Sequence, residues 1–220
     1  MIQGTASTVG KSLLVSALRR FPHTDRLRVA PFKSQNMSLN SFVDAEGGEI
    51  GRAQVVQAMA AGVPPHTEMN LILLKREADF RSQVIVAGKV WGRMGFREYR
   101  SRRPGLVGII QDSLARLRAR GDLVVTEGTG SPAEINLKDG ELVNVAIAKM
   151  ADAPVILVGD IDRGGVFEHL VGTLELLEPD ERARVRRVII NKFRADATLI
   201  RSGLNWFEAR TGVPIMGVVP

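Results

Sequence analysis

The sequence predicts an α/β fold in which a mostly parallel sheet carries helices on both faces. Short apolar runs alternate with segments of helical period along the chain. Most of these runs are continuous and rich in Val and Ile, which is typical of strands buried on both faces. The length of 220 residues, 45% of them hydrophobic, suits a sizeable core. We therefore predict a single domain over residues 1–220.

The order of the elements follows from these runs. Strands are predicted at residues 28–32, 83–90, 123–126, 155–158, 188–190 and 214–219. Helices are predicted at residues 11–20, 50–61, 106–120, 142–150, 166–177 and 199–210. Only residues 1–3 precede the first glycine, so we expect the first strand to be cut short. Ligands of open α/β sheets bind outside the carboxyl ends of strands, so polar residues that follow the strands mark the expected site.

Composition excludes several kinds of site and partner. The chain has no cysteine, which excludes a disulfide framework, a thiolate metal site and a cysteine nucleophile. No apolar run approaches the ~18 residues of a membrane span, and the amino terminus opens on a motif instead of a signal sequence. We expect a cytoplasmic protein without a membrane partner. The net charge of +6 favours an acidic partner, and the scarcity of Tyr and Trp argues against a nucleic-acid stacking platform. The basic stretches 93–103 and 182–194 are interpreted as solvated faces.

Residues 4–12, GTASTVGKS, form a phosphate-binding loop at the start of a helix. Lys11 is expected to reach the outer phosphates of ATP, and Ser12 is expected to ligate Mg²⁺. Five residues separate Gly4 from Gly10, one more than in the strict motif. The nucleotide-binding residues predicted here are Gly4, Thr5, Ser7, Gly10, Lys11 and Ser12.

Polar residues also follow the later strands. Residues 33–41, KSQNMSLNS, are predicted to form a loop that holds a transferable phosphate and a polar substrate, or a turn of self-bonding Asn and Ser. Glu127 ends a strand and can lie beside a metal. Asp160 and Asp162 end another strand, where positioning of a metal, water or substrate and helix capping both stay open.

Several long runs together resemble the cobyric acid synthase family, in order along the whole chain. They are residues 32–41 (FKSQNMSLNS), 48–54 (GEIGRAQ), 127–137 (EGTGSPAEINL), 160–167 (DIDRGGVF) and 190–194 (INKFR). The resemblance implies a P-loop NTPase-type, dethiobiotin-synthetase-like fold. It also implies an ATP- and Mg²⁺-dependent ligase of cobalamin biosynthesis that amidates the side-chain carboxylates of a corrinoid, adenosylcobyrinic acid a,c-diamide, through acyl phosphates. Arg76, Glu77 and Thr129 depart from the family pattern.

The resemblance assigns roles to particular residues. It implies catalytic roles for Lys11, Lys33 and Glu127, and Mg²⁺ ligation by Ser12, Glu49 at a helix start, and Glu127. Asn191 and Lys192 resemble the residues that read adenine. The substrate-binding residues expected on this basis are Gln35, Asn36, Asn40, Ser131, Asp162 and Arg163.

The resemblance also implies partners. Ammonia is expected from a carboxy-terminal glutamine amidotransferase domain that is absent from this chain, and a homodimer is possible. A dethiobiotin-synthetase-like ligase is one alternative, although its Lys-Pro pattern after the second strand is replaced here by Lys33-Ser34. A ParA/MinD-like ATPase switch is another, although its signature lysine is replaced by Ala6.

Overall fold

The computed structural model describes residues 1–24 and 27–220 of the chain. The strands are β1 (Ile2–Gly4), β2 (Val29–Met37), β3 (Ser41–Val43), β4 (Glu49–Gly51), β5 (Asn70–Ala78), β6 (Arg81–Val86), β7 (Lys89–Gly95), β8 (Leu123–Thr126), β9 (Val155–Asp160), β10 (Val185–Asn191) and β11 (Ile215–Val218). The helices are α1 (Lys11–Thr24), α2 (Arg52–Ala60), α3 (Phe96–Arg102), α4 (Val107–Arg120), α5 (Val145–Met150), α6 (Val166–Glu175), α7 (Pro179–Arg182) and α8 (Arg201–Thr211). Short 3₁₀ turns occupy Thr67–Met69, Arg103–Leu106, Ile135–Leu137 and Ala197–Ile200.

Contacts divide the chain into two compact units. The first unit comprises Met1–Lys11 and Gly128–Pro220, and the second comprises Ser12–Glu127. The α/β fold with a mostly parallel sheet is confirmed. The single domain over residues 1–220 stays a prediction.

The first unit is built on a parallel sheet of four strands in the order β1-β9-β10-β11. Its core consists of apolar residues from the strands and from α6 and α8, including Leu157, Leu170, Val188, Ile190 and Phe207. Gly159 lets α6 approach, because a Cβ there would lie 2.8 Å from Cγ2 of Val166. Burial of these side chains on both faces of the sheet explains the continuous apolar runs of β9 and β10.

The second unit contains a mixed sheet of five strands in the order β7-β6-β5-β2-β8. Strand β2 is parallel to both β5 and β8, whereas β5, β6 and β7 form an antiparallel meander. Strands β3 and β4 make a separate antiparallel pair. The buried side chains include Phe32, Leu73, Ile85, Ile110 and Leu114.

Two predictions of local structure around the polar residues of the second unit were wrong. Lys33, Gln35 and Asn36 lie in β2 and not in a loop, because parallel pairing with β5 extends the strand to Met37. Glu49 lies in β4, and helix α2 begins only at Arg52.

The region around residues 83–90 was predicted as one short strand, but it contains the end of β6, a turn and the start of β7. Ala87 and Gly88 make this turn with φ values of 48° and 80°. Strand β5 was not predicted; its apolar run at residues 71–74 is followed by the charged residues Lys75, Arg76 and Glu77. The basic stretch 93–103 is only partly a solvated face, since Tyr99 and Arg103 in it are buried.

Among the helices of the described residues, none combines the length and apolar character that a membrane crossing requires.

Candidate active site

The glycine-rich loop of the first unit joins β1 to the first residue of α1. Gly10 has a φ of 95°, and a Cβ at this position would lie 2.1 Å from Nδ2 of Asn191. At Gly4 a Cβ would lie 2.4 Å from Cγ2 of Val9. The backbone N–H of Thr5 donates to the carbonyl of Val158 over 3.0 Å. Both glycines are therefore required by the tight path of the loop.

Lys11 is folded over this loop. Its ammonium donates to the carbonyl oxygens of Ala6 and Gly130, at 2.7 and 3.1 Å, and only 4% of the residue is exposed. These two contacts fix the ammonium of Lys11 over the glycine-rich loop.

Three side chains from the strand ends of the first unit hold the loop. Nδ2 of Asn191 donates to the carbonyl of Val9, and Nζ of Lys192 donates to the carbonyl of Thr8, both at 2.8 Å. A guanidinium N–H of Arg163 donates to Oγ1 of Thr8, also at 2.8 Å. Asn191 and Lys192 were predicted to read adenine and Arg163 to bind substrate, and those roles stay predictions. In this structure all three support the phosphate loop.

Asp160 anchors Lys192 in turn. Its carboxylate accepts from Nζ of Lys192 at 2.6 Å and from the backbone N–H of Asp162 at 3.0 Å. Burial by itself would raise the pKa of Asp160, but the hydrogen bonds from Lys192 and Asp162 outweigh it and keep the pKa below its ordinary value. Asp162 is more exposed and lies 3.7 Å from Arg194. Asp160 is therefore a structural anchor, and Asp162 is the member of the pair that faces solvent.

Asn144 organises the segment that follows β8, and the sequence analysis gave this residue no role. Its side-chain amide donates to the carbonyls of Thr129 and Ser131, and its Oδ1 accepts from the N–H of Thr129. A Cβ at Gly128 would lie 2.1 Å from Oδ1 of Asn144. The predicted substrate residue Ser131 uses its hydroxyl to accept from the N–H of Ala133. Asn144 therefore fixes the backbone of residues 129–131.

Glu127 is the centre of the polar network in the second unit. Its Oε1 accepts from the hydroxyl of Ser12 at 2.7 Å and from Nζ of Lys33 at 2.6 Å. Its Oε2 accepts from Nε2 of Gln57 at 2.5 Å. Its backbone N–H donates to the carbonyl of Phe32, which ties the end of β8 to β2. The structure therefore brings together three residues predicted from the sequence, Ser12, Lys33 and Glu127.

The electrostatics of this network keep the carboxylate ionised. Burial of Glu127 would raise its pKa, but the charge of Lys33 and the hydrogen bonds it accepts outweigh burial, so the pKa lies below its ordinary value. Arg19 is fully buried and donates to the carbonyl of Val125 at 2.8 Å. Burial lowers the pKa of Arg19 to about 9, while the charge of Glu127 acts in the opposite direction.

Helix α2 supplies two buried amides that received no role from the sequence. Gln54 and Gln57 are three positions apart, so they lie on one face of the helix. Gln57 holds Glu127, and Oε1 of Gln54 accepts from the amide of Asn36 at 3.2 Å. Gln54 belongs to the GEIGRAQ run, and the spacing to Gln57 was the signal that could have revealed both.

The remaining predicted residues of the second unit lie in separate contacts. Gln35 accepts a hydrogen bond from the hydroxyl of Tyr99. Asn40 is exposed and uses its backbone to bond Ser38 and Arg52. Glu49, a predicted Mg²⁺ ligand, pairs with Lys75 at 2.6 Å. Burial would raise the pKa of Glu49, but hydrogen bonds from Lys75 and Ser41 lower it below its ordinary value.

The donor groups suit Mg²⁺ and a triphosphate. The hydroxyl of Ser12 and the carboxylate of Glu127 are hard oxygen donors within 2.7 Å of each other. Among the described residues, no group of three or more His, Cys, Asp or Glu side chains comes together.

The loop and the sheet define the class of protein. A glycine-rich loop that leads from a parallel strand into a helix, with its lysine folded over it, is characteristic of α/β nucleotide-binding domains of the P-loop kind. The CobQ/CobB/MinD/ParA nucleotide binding domain matches residues 1–220, and the chain belongs to this family.

Curated relatives resemble the chain over its whole length. It is 63% identical over 220 residues to a cobyric acid synthase of Sorangium cellulosum, covering 100% of the chain and 42% of the relative. It is 57% identical over 220 residues to a cobyric acid synthase of Dehalococcoides mccartyi, covering 100% of the chain and 44% of the relative. A cobyric acid synthase of Pelotomaculum thermopropionicum is 55% identical over 221 residues, with 100% and 42% covered. The predicted resemblance is confirmed, and the chain spans less than half the length of these relatives.

Proposed function

We propose that this chain is the ATP-dependent synthetase part of a cobyric acid synthase. The reaction converts the carboxylates of adenosylcobyrinic acid a,c-diamide to amides and yields cobyric acid, a step of cobalamin biosynthesis. The observation that carries the proposal is the meeting of Ser12 and Lys33 on buried Glu127. The names and high identity of the curated relatives support the choice of substrate.

The chemistry requires activation of the carboxylate. Direct attack of ammonia would have to expel oxide, which is a very poor leaving group. A carboxylate oxygen instead attacks the γ-phosphorus of ATP, ADP leaves, and an acyl phosphate forms. Ammonia then attacks the acyl carbon, inorganic phosphate leaves, and the nitrogen loses a proton to give the amide.

We assign the phosphate loop of the first unit to ATP. The backbone N–H groups of residues 5–10 and the ammonium of Lys11 would bind phosphate oxygens, as glycine-rich loops at helix starts do. Asn191, Lys192 and Arg163 keep the loop in its bent path, through the contacts to Thr8 and Val9. The adenine base is assigned to the region of Asn191 and Lys192.

We assign Ser12 and Glu127 of the second unit to Mg²⁺, with Glu49 as a further candidate ligand. When bound, Mg²⁺ supplies positive charge that neutralises phosphate oxygens. Lys33 holds Glu127 in the structure, and its charge would stabilise the carboxylate as it is phosphorylated. Gln57 fixes the carboxylate of Glu127 from the other side.

Polar and charged side chains are assigned to the substrate. A polyanionic corrinoid matches the net charge of +6 better than a neutral molecule. The residues proposed to contact it are Gln35, Asn36, Asn40, Ser131, Asp162 and Arg163. Ammonia would come from a glutamine-hydrolysing part, for which the greater length of the relatives leaves room. We expect the reaction in the cytoplasm.

ADP formation by the purified chain, with Mg-ATP and ammonium chloride, tests the proposal. We expect cobyrinic acid a,c-diamide to stimulate ADP release and to gain amide nitrogen by mass spectrometry. Lys33→Ala should reduce this turnover at least about a hundredfold, because an oriented charge in the transition state is lost. Stimulation by diaminopelargonate in place of the corrinoid would show a dethiobiotin-synthetase-like ligase instead.

A further inference from the structure

The second unit contains an apolar cavity of about 240 Å³ that has no role in the chemistry above. It lies among β5, β6, β7 and α3, and its apolar lining includes Leu74, Val84, Met94, Phe96 and Tyr99. Pockets that enclose a whole drug-sized ligand usually measure roughly 300–1,000 Å³. This cavity is therefore suited to receive one edge of a larger molecule.

Phe80 stands at the rim of this cavity in an unfavourable conformation. It occupies the turn between β5 and β6 with a φ of 64°, a region that a bulky side chain rarely adopts and that glycine adopts freely. Phe80 borders the cavity, yet 92% of the residue is exposed. The ring thus gains almost no packing energy that could offset the strain. Strain kept at an exposed aromatic residue points to a contact with a ligand.

Two arginines give the rim a positive charge. Arg76 and Arg81 line the cavity from either side of the turn, and the side chain of Arg76 is 69% exposed. Asp79 approaches Arg76 only at 3.5 Å and is itself exposed, so water screens this pair strongly. The combination of an apolar floor and basic rim fits an apolar ring that carries carboxylates at its edge.

The cavity is continuous with the proposed substrate strand. Met37 lines it and pairs with Leu74, and Gln35 lies two positions earlier on the same face of β2. The hydroxyl of Tyr99, from the opposite wall, donates to Gln35. The cavity therefore begins where the polar side chains of β2 end.

We propose that this cavity is the subsite for the corrin macrocycle. One apolar edge of the ring enters between Leu74 and Tyr99 and packs against Phe80, while peripheral carboxylates pair with Arg76 and Arg81. The inference rests on the proposed function, and it goes further by locating the ring and by naming Phe80 as a specificity-determining residue.

The variant Phe80→Gly separates a ligand contact from a structural role. Glycine relieves the strained turn and removes little packing, so the midpoint of thermal unfolding should rise. Loss of the aromatic surface should weaken binding of cobyrinic acid a,c-diamide about tenfold in calorimetry, and Phe80→Trp should restore it. Thermal stability rises while corrinoid affinity falls only if Phe80 contacts the ligand. An unchanged dissociation constant for Phe80→Gly would overturn the proposal.

Matched controls come from exposed residues of the first unit. Trp206→Ala removes an aromatic side chain of the first unit that is 54% exposed and should leave corrinoid affinity unchanged. Arg81→Gln should weaken binding and reduce its dependence on salt, whereas Arg186→Gln should not.

The binding measurement by calorimetry does not require turnover, so it tests this inference separately from the proposed function. A chain that binds the corrinoid through Phe80 but forms no ADP would contradict the proposed function alone. A chain that binds it equally well with Phe80→Gly would contradict this inference alone, and a wild-type chain that does not bind it would contradict both.

Discussion

At the residue scale, the pair of Lys33 and Glu127 carries the strongest energetic consequence. Their side chains are only 7% and 1% exposed, and their charged atoms lie 2.6 Å apart. Removing one member of a buried pair leaves an uncompensated charge, at a cost of about 3–5 kcal/mol. Removing both members avoids that cost.

We therefore predict strong coupling between Lys33→Met and Glu127→Gln. Each single variant should lose about 3 kcal/mol or more of unfolding free energy, and the double variant should lose clearly less than the sum. Urea denaturation of the four proteins in the cycle gives the coupling. Additive losses would mean that the two residues do not form the buried ion pair seen here.

Asp122 and Arg28 form a contrasting ion pair at the surface. Hydrogen bonds from the side chain and backbone of Arg28 lower the pKa of Asp122 from 3.8 to about 2. Because its pKa is lower in the folded than in the unfolded chain, its stabilising contribution is complete above pH 3.8 and is lost as the pH falls through about 2. Asp122→Asn should reduce the fall in stability over this pH interval. The size of the effect should shrink in high salt, and an unchanged pH profile in urea titrations would contradict the prediction.

At the scale of elements, the phosphate loop is determined by backbone geometry. Gly10 needs a positive φ and has Nδ2 of Asn191 at the place where a Cβ would stand. Asn191 cannot move away without giving up its hydrogen bond to Val9. The path of the phosphate loop at Gly10 is therefore coupled to the position of Asn191 at the end of β10.

Gly10→Ala should destabilise the chain by more than about 1 kcal/mol and abolish detectable Mg-ATP binding in calorimetry. Gly172→Ala is the matched control in α6, where a Cβ would meet no atom within 4 Å. That variant should raise the free energy of unfolding by about 1 kcal/mol through helix propensity, and it should bind Mg-ATP normally. Normal ATP binding by Gly10→Ala would contradict the assignment of this loop to phosphate binding.

At the scale of the whole molecule, the absence of cysteine bears on the proposed source of nitrogen. Glutamine hydrolysis of the expected kind needs a thiolate nucleophile, and this chain of 220 residues has none. The chain alone should therefore release no glutamate from glutamine. Amide formation should depend on added ammonia and should rise with pH as ammonium loses its proton. Glutamate release by the purified chain, free of any other protein, would contradict its assignment as the synthetase part.

Much of the fold was accessible from the sequence. The runs at β8, β9 and β10 were found because each contains a short continuous apolar run. Helices α5, α6 and α8 began within three residues of their predicted starts, whereas α7 was not predicted. The meander of β5, β6 and β7 was largely missed. Its antiparallel strands pair across short turns at residues 79–80 and 87–88, and charged residues such as Lys75 and Arg76 make their pattern less apolar than that of buried parallel strands.

The sequence by itself determined the phosphate loop, the class of fold and the family, because these depend on residue types at fixed local spacing. It also pointed to Ser12, Lys33 and Glu127 one by one. Only the tertiary structure decided that these three meet, that Gln57 holds Glu127, that Asn144 orders the segment after β8, and that Phe80 borders a cavity. The reason is physical: contacts between residues far apart in the chain depend on strand order and burial, and no local pattern encodes them.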